Sequence, residues 1–258
     1  AGWEWQNPKP QGYWLNSIDF RDTLNGWAVG QGGAMLRTTD GGLTWKRRPS
    51  PDGTSLRTIR FGDPNHGLLI GDSGLIRYTF DGGETWWTPG TITPHNLHSL
   101  TLRGAQFAWT AGDSGTILRT LDGGRTWGVQ QSGTTIRLNG ISFADRMHGM
   151  CVGDSGCVLQ TSNGGTTWTR KHSPTTQRLL GVAVLTADVA ILVGGACSRR
   201  VYEYGGYNDY PCSIIHRTSD AGNTWTMDTV DGPTAYVGFT TLRFDTPDCG
   251  WAASNHLI

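Results

Sequence analysis

The sequence predicts an all-β chain assembled from repeated four-stranded units, and three observations carry that prediction. Glycine accounts for 38 of 258 residues, about twice the ~7% of an average protein. Glycine or proline interrupts the chain so often that only Tyr13 to Asn25 and Val182 to Val193 run past ten residues without one, which excludes long helices. The second observation is a fixed period. Asp40-Gly41-Gly42-Leu43-Thr44-Trp45 returns at Asp81 to Trp86, Asp122 to Trp127 and Asn163 to Trp168, each time 41 residues on. A fifth copy, Asp220 to Trp225, follows after 57 residues, one period plus an insertion of 16. The third observation is alternation of apolar and polar residues between the boxes, the mark of half-buried strands.

The elements of one unit follow in order. The first strand is the alternating run Leu15 to Phe20, repeated at Leu56 to Phe61, Leu97 to Leu102 and Leu138 to Phe143. The second is Gly26-Trp27-Ala28-Val29-Gly30, with counterparts at Gly67 to Gly71, Ala108 to Gly112 and Gly149 to Gly153, each followed by a tight turn such as Asp72-Ser73-Gly74. Leu36 to Thr39 forms the third strand, the box is the hairpin after it, and a fourth strand starts at Trp45. Four short strands per ~40 residues make one blade of a β-propeller.

Counting blades predicts a single domain over residues 1–258, with blades at about 13–48, 54–89, 95–130, 136–171 and 177–228. A sixth is expected from 236–258 plus 1–8, because Phe239 to Phe244 and Gly250 to Ala253 open another unit while Ala1 to Trp5 matches Ala221 to Trp225 position for position. The expected fold is therefore a six-bladed propeller whose N- and C-terminal strands share a blade, closing the ring and removing open sheet edges.

Within each box, the aspartate is suited to accept hydrogen bonds from its own turn, the glycines tolerate positive φ, and the tryptophan is large enough to bury between blades. Asp40, Asp81, Asp122, Asn163 and Asp220, with Trp45, Trp86, Trp127, Trp168 and Trp225, are accordingly structural. Carboxylates spread over separate blades do not form an acid/base pair.

Charge and composition narrow the partners. Lysine plus arginine and aspartate plus glutamate each total 21, for a net charge of zero, which removes the electrostatic ground for nucleic acid or an anionic membrane. No stretch approaches the ~20 apolar residues of a membrane-spanning helix, so direct membrane insertion is not expected. Neither Cys-x-x-Cys nor His-x-x-x-His spacing occurs, so no metal is expected. No cofactor is expected either. His66 and His148 hold equivalent turn positions and read as turn residues.

The insertion is the distinctive feature. It spans Ala196 to Cys212, between the second and third strands of the fifth repeat, and carries Arg199, Arg200, Tyr202, Glu203, Tyr204, Tyr207, Asp209 and Tyr210. Tyrosine and arginine in one loop suit recognition of a protein, since rigid amphipathic rings give contact area at low entropic cost. Cys197 and Cys212 flank the loop and are expected to close it as a disulfide, worth ~3 kcal/mol for such a loop in the chain-entropy model. A cystine implies an oxidising compartment: periplasm, lumen or the outside of the cell. Cys151, Cys157 and Cys249 are left open between a second bridge and buried thiols. A further polar ring, Asn16, Arg57, His98, Asn139 and Arg178 with Arg137 beside them, starts the first strands and offers cationic and amide donors suited to a carboxylate or a polypeptide.

Asp-Gly-Gly-x-Thr-Trp preceded by Leu-Arg-Thr-Thr resembles the Asp-box (BNR) repeat of sialidases, sortilin-type receptors and bacterial propellers. The longer pattern, Gly26 to Gly30, Gly33 to Thr39 and Asp40 to Trp45, resembles the repeat of the photosystem II stability and assembly factor family, over essentially the whole chain. That resemblance implies ligand binding on the face opposite the boxes. The expected function is non-catalytic recognition of a protein partner, as scaffold or assembly factor, with membership of a larger membrane-associated complex. The alternatives are a lectin and, further off, a sialidase-like glycosidase. For the glycosidase, Arg57, Arg137, Arg199 and Tyr204 are the available mimics, but the Phe-Arg-Ile-Pro motif is absent.

Overall fold

The computed structural model describes residues 13–48, 50, 52–203, 206–230, 239–246 and 249–254, and for 195–203, 206–214, 228–230 and the last two stretches it gives the backbone alone. Two compact units divide the chain, Ala1–Val129 and Gln130–Ile258.

The first unit holds three antiparallel sheets in which sequential strands are neighbours. They are β1 (Leu15–Phe20), β2 (Gly26–Gly30), β3 (Met35–Thr38) and β4 (Lys46–Arg47); β5 (Leu56–Phe61), β6 (Gly67–Gly71) and β7 (Ile76–Thr79); and β8 (Leu97–Arg103), β9 (Phe107–Gly112), β10 (Ile117–Thr120) and β11 (Gly128–Gln130). The second unit repeats the pattern with β12 (Leu138–Phe143), β13 (Gly149–Gly153), β14 (Val158–Thr161) and β15 (Thr169–Arg170). It continues with β16 (Leu179–Val184), β17 (Ala190–Glu203), β18 (Gly206–Thr218) and β19 (Thr226–Val230), then the pair β20 (Phe239–Thr246) and β21 (Cys249–Ser254).

Three expectations are corrected. The box tryptophan does not start the fourth strand: β4, β15 and β19 begin one residue after Trp45, Trp168 and Trp225. The second repeat lacks a full fourth strand and keeps a single bridge, Tyr78 to Trp87. Proline explains it, because Arg48 and Lys171 each donate a backbone N–H to the third strand, to Met35 O at 2.8 Å and Val158 O at 2.9 Å. Pro89 holds the equivalent place with no N–H to give, and Gly90 at φ +90° turns the chain away. The 196–212 segment, read as a loop, is a β-hairpin: β17 and β18 run past their sheet and pair from Ala196↔Ser213 out to Glu203↔Gly206. Of the residues expected to complete the sixth blade, 236–258 plus 1–8, those at 1–8, 236–238, 247–248 and 255–258 lie outside the described residues.

Cores form between successive sheets inside each unit. Trp27, Val29 and Met35 of the first repeat pack with Leu56, Ile59 and Leu69 of the second, and Trp86 seals the seam. Trp86 stands edge-on to Trp27 with ring centroids 6.0 Å apart, and Trp27 Nε1 donates to Gly82 O across the seam at 3.2 Å. Leu68, Ile70 and Ile76 meet Leu97, Leu100 and Trp127 in the same way. In the second unit Met150, Val152 and Val158 meet Leu179, Val182 and Leu192, with Trp225 alongside.

The glycine closing each second strand is required by close approach. At Gly112 a Cβ would lie 2.1 Å from the Asn96 carbonyl oxygen, while the following N–H, of Asp113, donates to that same carbonyl. Gly112→Ala is expected to cost about 1–3 kcal/mol as the backbone shifts to relieve the overlap, read as a lowered midpoint in urea. An unchanged midpoint would show the seam to be looser than its geometry.

Candidate functional site

Each box is a closed hydrogen-bond circuit. In the first, the buried Thr38 hydroxyl donates to Asp40 Oδ1 at 2.7 Å and accepts the Gly42 N–H at 2.9 Å, and Asp40 then accepts the Thr44 N–H at 2.9 Å and the Thr44 hydroxyl. The circuit recurs at Thr79, Asp81 and Thr85, at Thr120, Asp122 and Thr126, and at Thr218, Asp220 and Thr224. Asn163 keeps the geometry with an amide, its Oδ1 accepting from the Thr161 hydroxyl and Thr167 N–H while Nδ2 donates to the Thr167 hydroxyl. The Thr44 hydroxyl and N–H, then the Thr38 hydroxyl, hold the Asp40 carboxyl at about 2. At Asp81 desolvation pushes the other way, yet the bonds from Thr85 and Thr79 outweigh it and the carboxyl also sits at about 2. These carboxylates are spent on the fold.

The polar ring rests on a bulge. Every first strand slips register by one residue near its start, between Leu56 and Thr58, Leu97 and Ser99, Leu138 and Gly140, and Leu179 and Gly181. The skipped residues include Arg57, His98 and Asn139, and bulges re-aim side chains. Here they meet the aspartate of the turn between second and third strands. Arg57 grips Asp72 with two bonds, 2.7 and 3.2 Å, His98 Nε2 meets Asp113 Oδ1 at 2.7 Å, and Asn139 donates to Asp154 Oδ1 at 2.8 Å. Asn16, whose turn carries Gln31 in place of aspartate, donates instead to Leu56 O at 2.7 Å. Arg178 is not equivalent, since the fifth bulge position is Leu180. It occupies the place of Arg137 one repeat on and pairs with Asp154 at 2.9 Å. The structure thus gathers Arg137, Asn139, Asp154 and Arg178 into one network, with Arg137 Nε on Asn139 Oδ1 at 3.1 Å, and keeps Arg57 and His98 each within its own repeat. Arg57 and His98 each face an aspartate of the turn in their own repeat. His66 and His148 are turn residues, held on Asp63 and Asp145.

The hairpin arm carries the remaining candidates. Its register sets Cys197 opposite Cys212, Arg199 opposite Tyr210, Arg200 opposite Asp209 and Tyr202 opposite Tyr207. Arg199, Val201 and Glu203 therefore share one face with Tyr210 and Asn208, and Arg200 and Tyr202 share the other with Asp209 and Tyr207. The side chains of Cys197, Arg199, Arg200, Tyr202, Glu203, Tyr207, Asp209, Tyr210 and Cys212, and Tyr204 altogether, lie outside the described residues, as does any bond between the two cysteines. Cys151 and Cys157 are buried free thiols; burial pushes both up. Among the described residues no acidic, histidine and cysteine cluster of metal-binding size occurs.

Two features escaped the sequence. A cavity of about 180 Å³ opens between the first two repeats, lined by Met35, Ser50, Leu56, Leu69, Arg77, Glu84 and Trp86. Glu84 there takes Arg37 and Arg48, and Arg77 pairs with Asp52 at 2.8 Å. The available signal was departure from the repeat: Arg77 stands where Leu36, Leu118 and Leu159 stand elsewhere. His216 holds that same place in the fifth repeat, 2% exposed, with neither ring nitrogen hydrogen-bonded. Desolvation lowers its pKa.

Comparison with known proteins agrees with this architecture. A family model described as photosynthesis system II assembly factor YCF48 matches residues 51–129, the second and third repeats. The fold is shared with a solved structure of YCF48 bound to D1 peptide, at 20% identity and a TM-score of 0.62 over 93% of this chain and 88% of that one. YCF48 from Cyanidioschyzon merolae gives 19% and 0.62 over 96% and 95%. A GH74 xyloglucanase from Xanthomonas campestris gives 13% and 0.66, over 90% of this chain and 42% of that one. No curated protein matches the sequence significantly. The chain is a BNR-type repeat protein of propeller type resembling the photosystem II assembly factor.

Two outcomes are expected of these polar groups. Asp81→Asn is expected to be nearly neutral, since Asn163 already does this work, whereas Asp81→Ala costs about 1 kcal/mol by stranding the buried Thr79 hydroxyl. Because the folded carboxyl lies at about 2 against the usual 3.8, its contribution is full above about pH 4 and is lost as pH falls through about 2; urea midpoints across that window read it, and equal losses for both variants would refute the circuit. His216→Leu is expected to stabilise the fold by about 1–2 kcal/mol at pH 7 by removing an unpaired buried polar group. Histidine with a lowered folded pKa stabilises least in acid, so the gain should grow as pH drops below 6.5; a variant with the parent's stability at all pH values would contradict this.

Proposed function

We propose that the chain is a non-catalytic recognition module of the assembly-factor kind, which binds a protein partner through the arm formed by Ala196 to Cys212. The observation that carries this reading is the arm itself. Four of the five complete repeats turn from second to third strand in three residues, and only the fifth extends that turn into a paired ribbon rich in tyrosine and arginine. A ribbon continuous with a four-stranded sheet offers its side chains with little ordering to lose on binding. Likeness to YCF48, one structure of which holds a D1 peptide, favours a polypeptide ligand. Against catalysis stands the use already made of the carboxylates: box aspartates by threonine, turn aspartates by Arg57, His98, Asn139 and Arg178.

The same reading includes a six-bladed ring closed by the N-terminal segment. Trp5 precedes Leu15 by ten residues, against eleven from each of Trp45, Trp86, Trp127 and Trp168 to the next first strand. Leu15 and Ile18 are 51% and 50% exposed, whereas Leu56, Ile59, Leu97 and Leu179 are at most 1% exposed; β1 has the apolar face of an inner strand and awaits its cover. It also includes a Cys197–Cys212 cystine, for which paired register is the precondition, and with it export to periplasm, lumen or the cell exterior, within reach of a membrane-associated complex.

The test is titration of a labelled D1 peptide with three forms of the protein: intact, thiol-reduced, and with Ala196 to Pro211 replaced by Asp-Ser-Gly, the natural turn of the other repeats. Binding weakened at least tenfold by the replacement, and measurably by reduction, supports arm and cystine. Equal binding by the intact and shortened forms removes the arm from the site, and binding of xyloglucan oligosaccharides in place of the peptide would move the protein to the carbohydrate-active class.

A further inference from the structure

The arm has an edge as well as two faces. β17 pairs with β16 only as far as Leu179↔Gly194, and beyond that point, among the described residues, no strand lies on its outer side. Residues Ala196 to Glu203 therefore present a row of backbone donors and acceptors with β18 paired on one side and, among the described residues, no paired strand on the other. The corresponding stretch of β18 carries Pro211, which removes a donor, as protected edges do. The β17 edge has no proline, no glycine and no lysine between Ala196 and Glu203. An edge strand of that length, whose charges are Arg199, Arg200 and Glu203, templates pairing with a strand of complementary charge.

We propose that the occupant is a second copy of this chain, which pairs its own β17 edge antiparallel to the first and makes a four-stranded sheet of the two arms. Symmetry limits the registers to a few. A two-fold axis perpendicular to the sheet keeps faces aligned and must pass through a residue pair. Centred on Arg199 or Arg200, it sets arginine against arginine; centred on Glu203, glutamate against glutamate; and like charges directly opposite are destabilising. Centred on Tyr202, it leaves the arginines opposite the turn. Centred on Val201, every position finds a complement. Val201 meets Val201, Arg199 stands opposite Glu203 twice, and Arg200 stands opposite Tyr202 twice, pairing unlike charges and setting a cation by an aromatic ring. The strand Arg199-Arg200-Val201-Tyr202-Glu203 is complementary to itself in that register alone.

This pairing uses the edge and covers neither face of the arm, so it is independent of the binding reading above. It is tested by sedimentation equilibrium of the full chain over a wide concentration range, with Arg199→Glu, Glu203→Arg and an equimolar mixture of the two variants. Within the arm these positions stand opposite Tyr210 and Gly206 in register, neither charged, so reversal leaves the intramolecular pairing unopposed. The parent is expected to pass from one chain to two as concentration rises. Each variant alone, with like charges at both symmetric positions, should dimerise about tenfold more weakly or worse. The mixture should recover the parent's affinity. In a mixed pair the charge reversed at position 199 of one chain meets the charge reversed at position 203 of the other, and the two unaltered charges meet each other, so both pairs are again unlike. A parent that stays monomeric throughout, variants that dimerise as the parent does, or variants that remain monomeric on mixing would each overturn the proposal.

Discussion

The architecture depends on one buried hydroxyl per repeat. Thr38, Thr79, Thr120, Thr161 and Thr218 are at most 2% exposed, and each stands at the end of its third strand, where the chain must reverse. A buried hydroxyl must be satisfied twice, as donor and acceptor. The box does both within four residues, with the carboxylate or amide taking the proton and the second glycine N–H supplying the return bond. That glycine sits at φ +94° in the first box and +90° in the second, a region closed to most side chains. The hairpin therefore has one low-energy shape, and its shape fixes where the tryptophan three residues on must go. Trp86 reaches Trp27 of the preceding repeat because Thr79 and Asp81 have already set the direction of the chain. Cohesion between sheets follows from a polar circuit whose hairpin also meets the seam directly, where Gly82 O accepts from Trp27 Nε1.

A scaffold specified this locally tolerates departures elsewhere, and the departures mark individuality. Pro89 shortens one sheet without disturbing its box. Arg77 and His216 replace a core leucine; the first finds Asp52, the second finds no hydrogen bond. Polar groups in such places cost stability. Repeats with identical backbones allow the cost to be seen by comparison with neighbours in the same chain. The same comparison separates the turn aspartates, which recur and are each paired by a nearby side chain, from the arm, which occurs once.

Much of this was legible in the sequence, because the period is strict and local turn chemistry decides it. Strand order within each repeat, the structural use of the boxes and the extent of the insertion all follow from spacing. The bulge was not read, although its trace is present: Leu56, Ile59 and Phe61 are spaced three and then two, which strict alternation forbids for residues of one face. One skipped residue restores them to one side, and in doing so turns Arg57 toward Asp72. Pairing of ring residues with turn aspartates was invisible for the same reason, since the two stand fifteen residues apart and meet only once the bulge is placed. The change from loop to ribbon was hidden by length, because a long insertion rich in tyrosine reads equally as loop or strand.

The arm raises a physical question that its root answers. An isolated two-stranded hairpin is marginal in water. The register of this arm is nevertheless inherited, because β17 and β18 enter it already paired from Ala190↔Thr218 to Val193↔Ile215. Between that root and Ala196 the pairing slips at Gly194 and Gly195. Gly194 takes φ +137°, and a Cβ there would lie 2.6 Å from the Arg178 carbonyl oxygen. Two glycines at a bulge bend a ribbon sharply without breaking it. The root thus transmits order while resetting direction, and the carbonyl of Arg178, whose side chain is tied to Asp154, forms part of the surface against which that bend is made. Direction of the arm and the polar network at the base of the repeat are one structural unit, joined through a single residue.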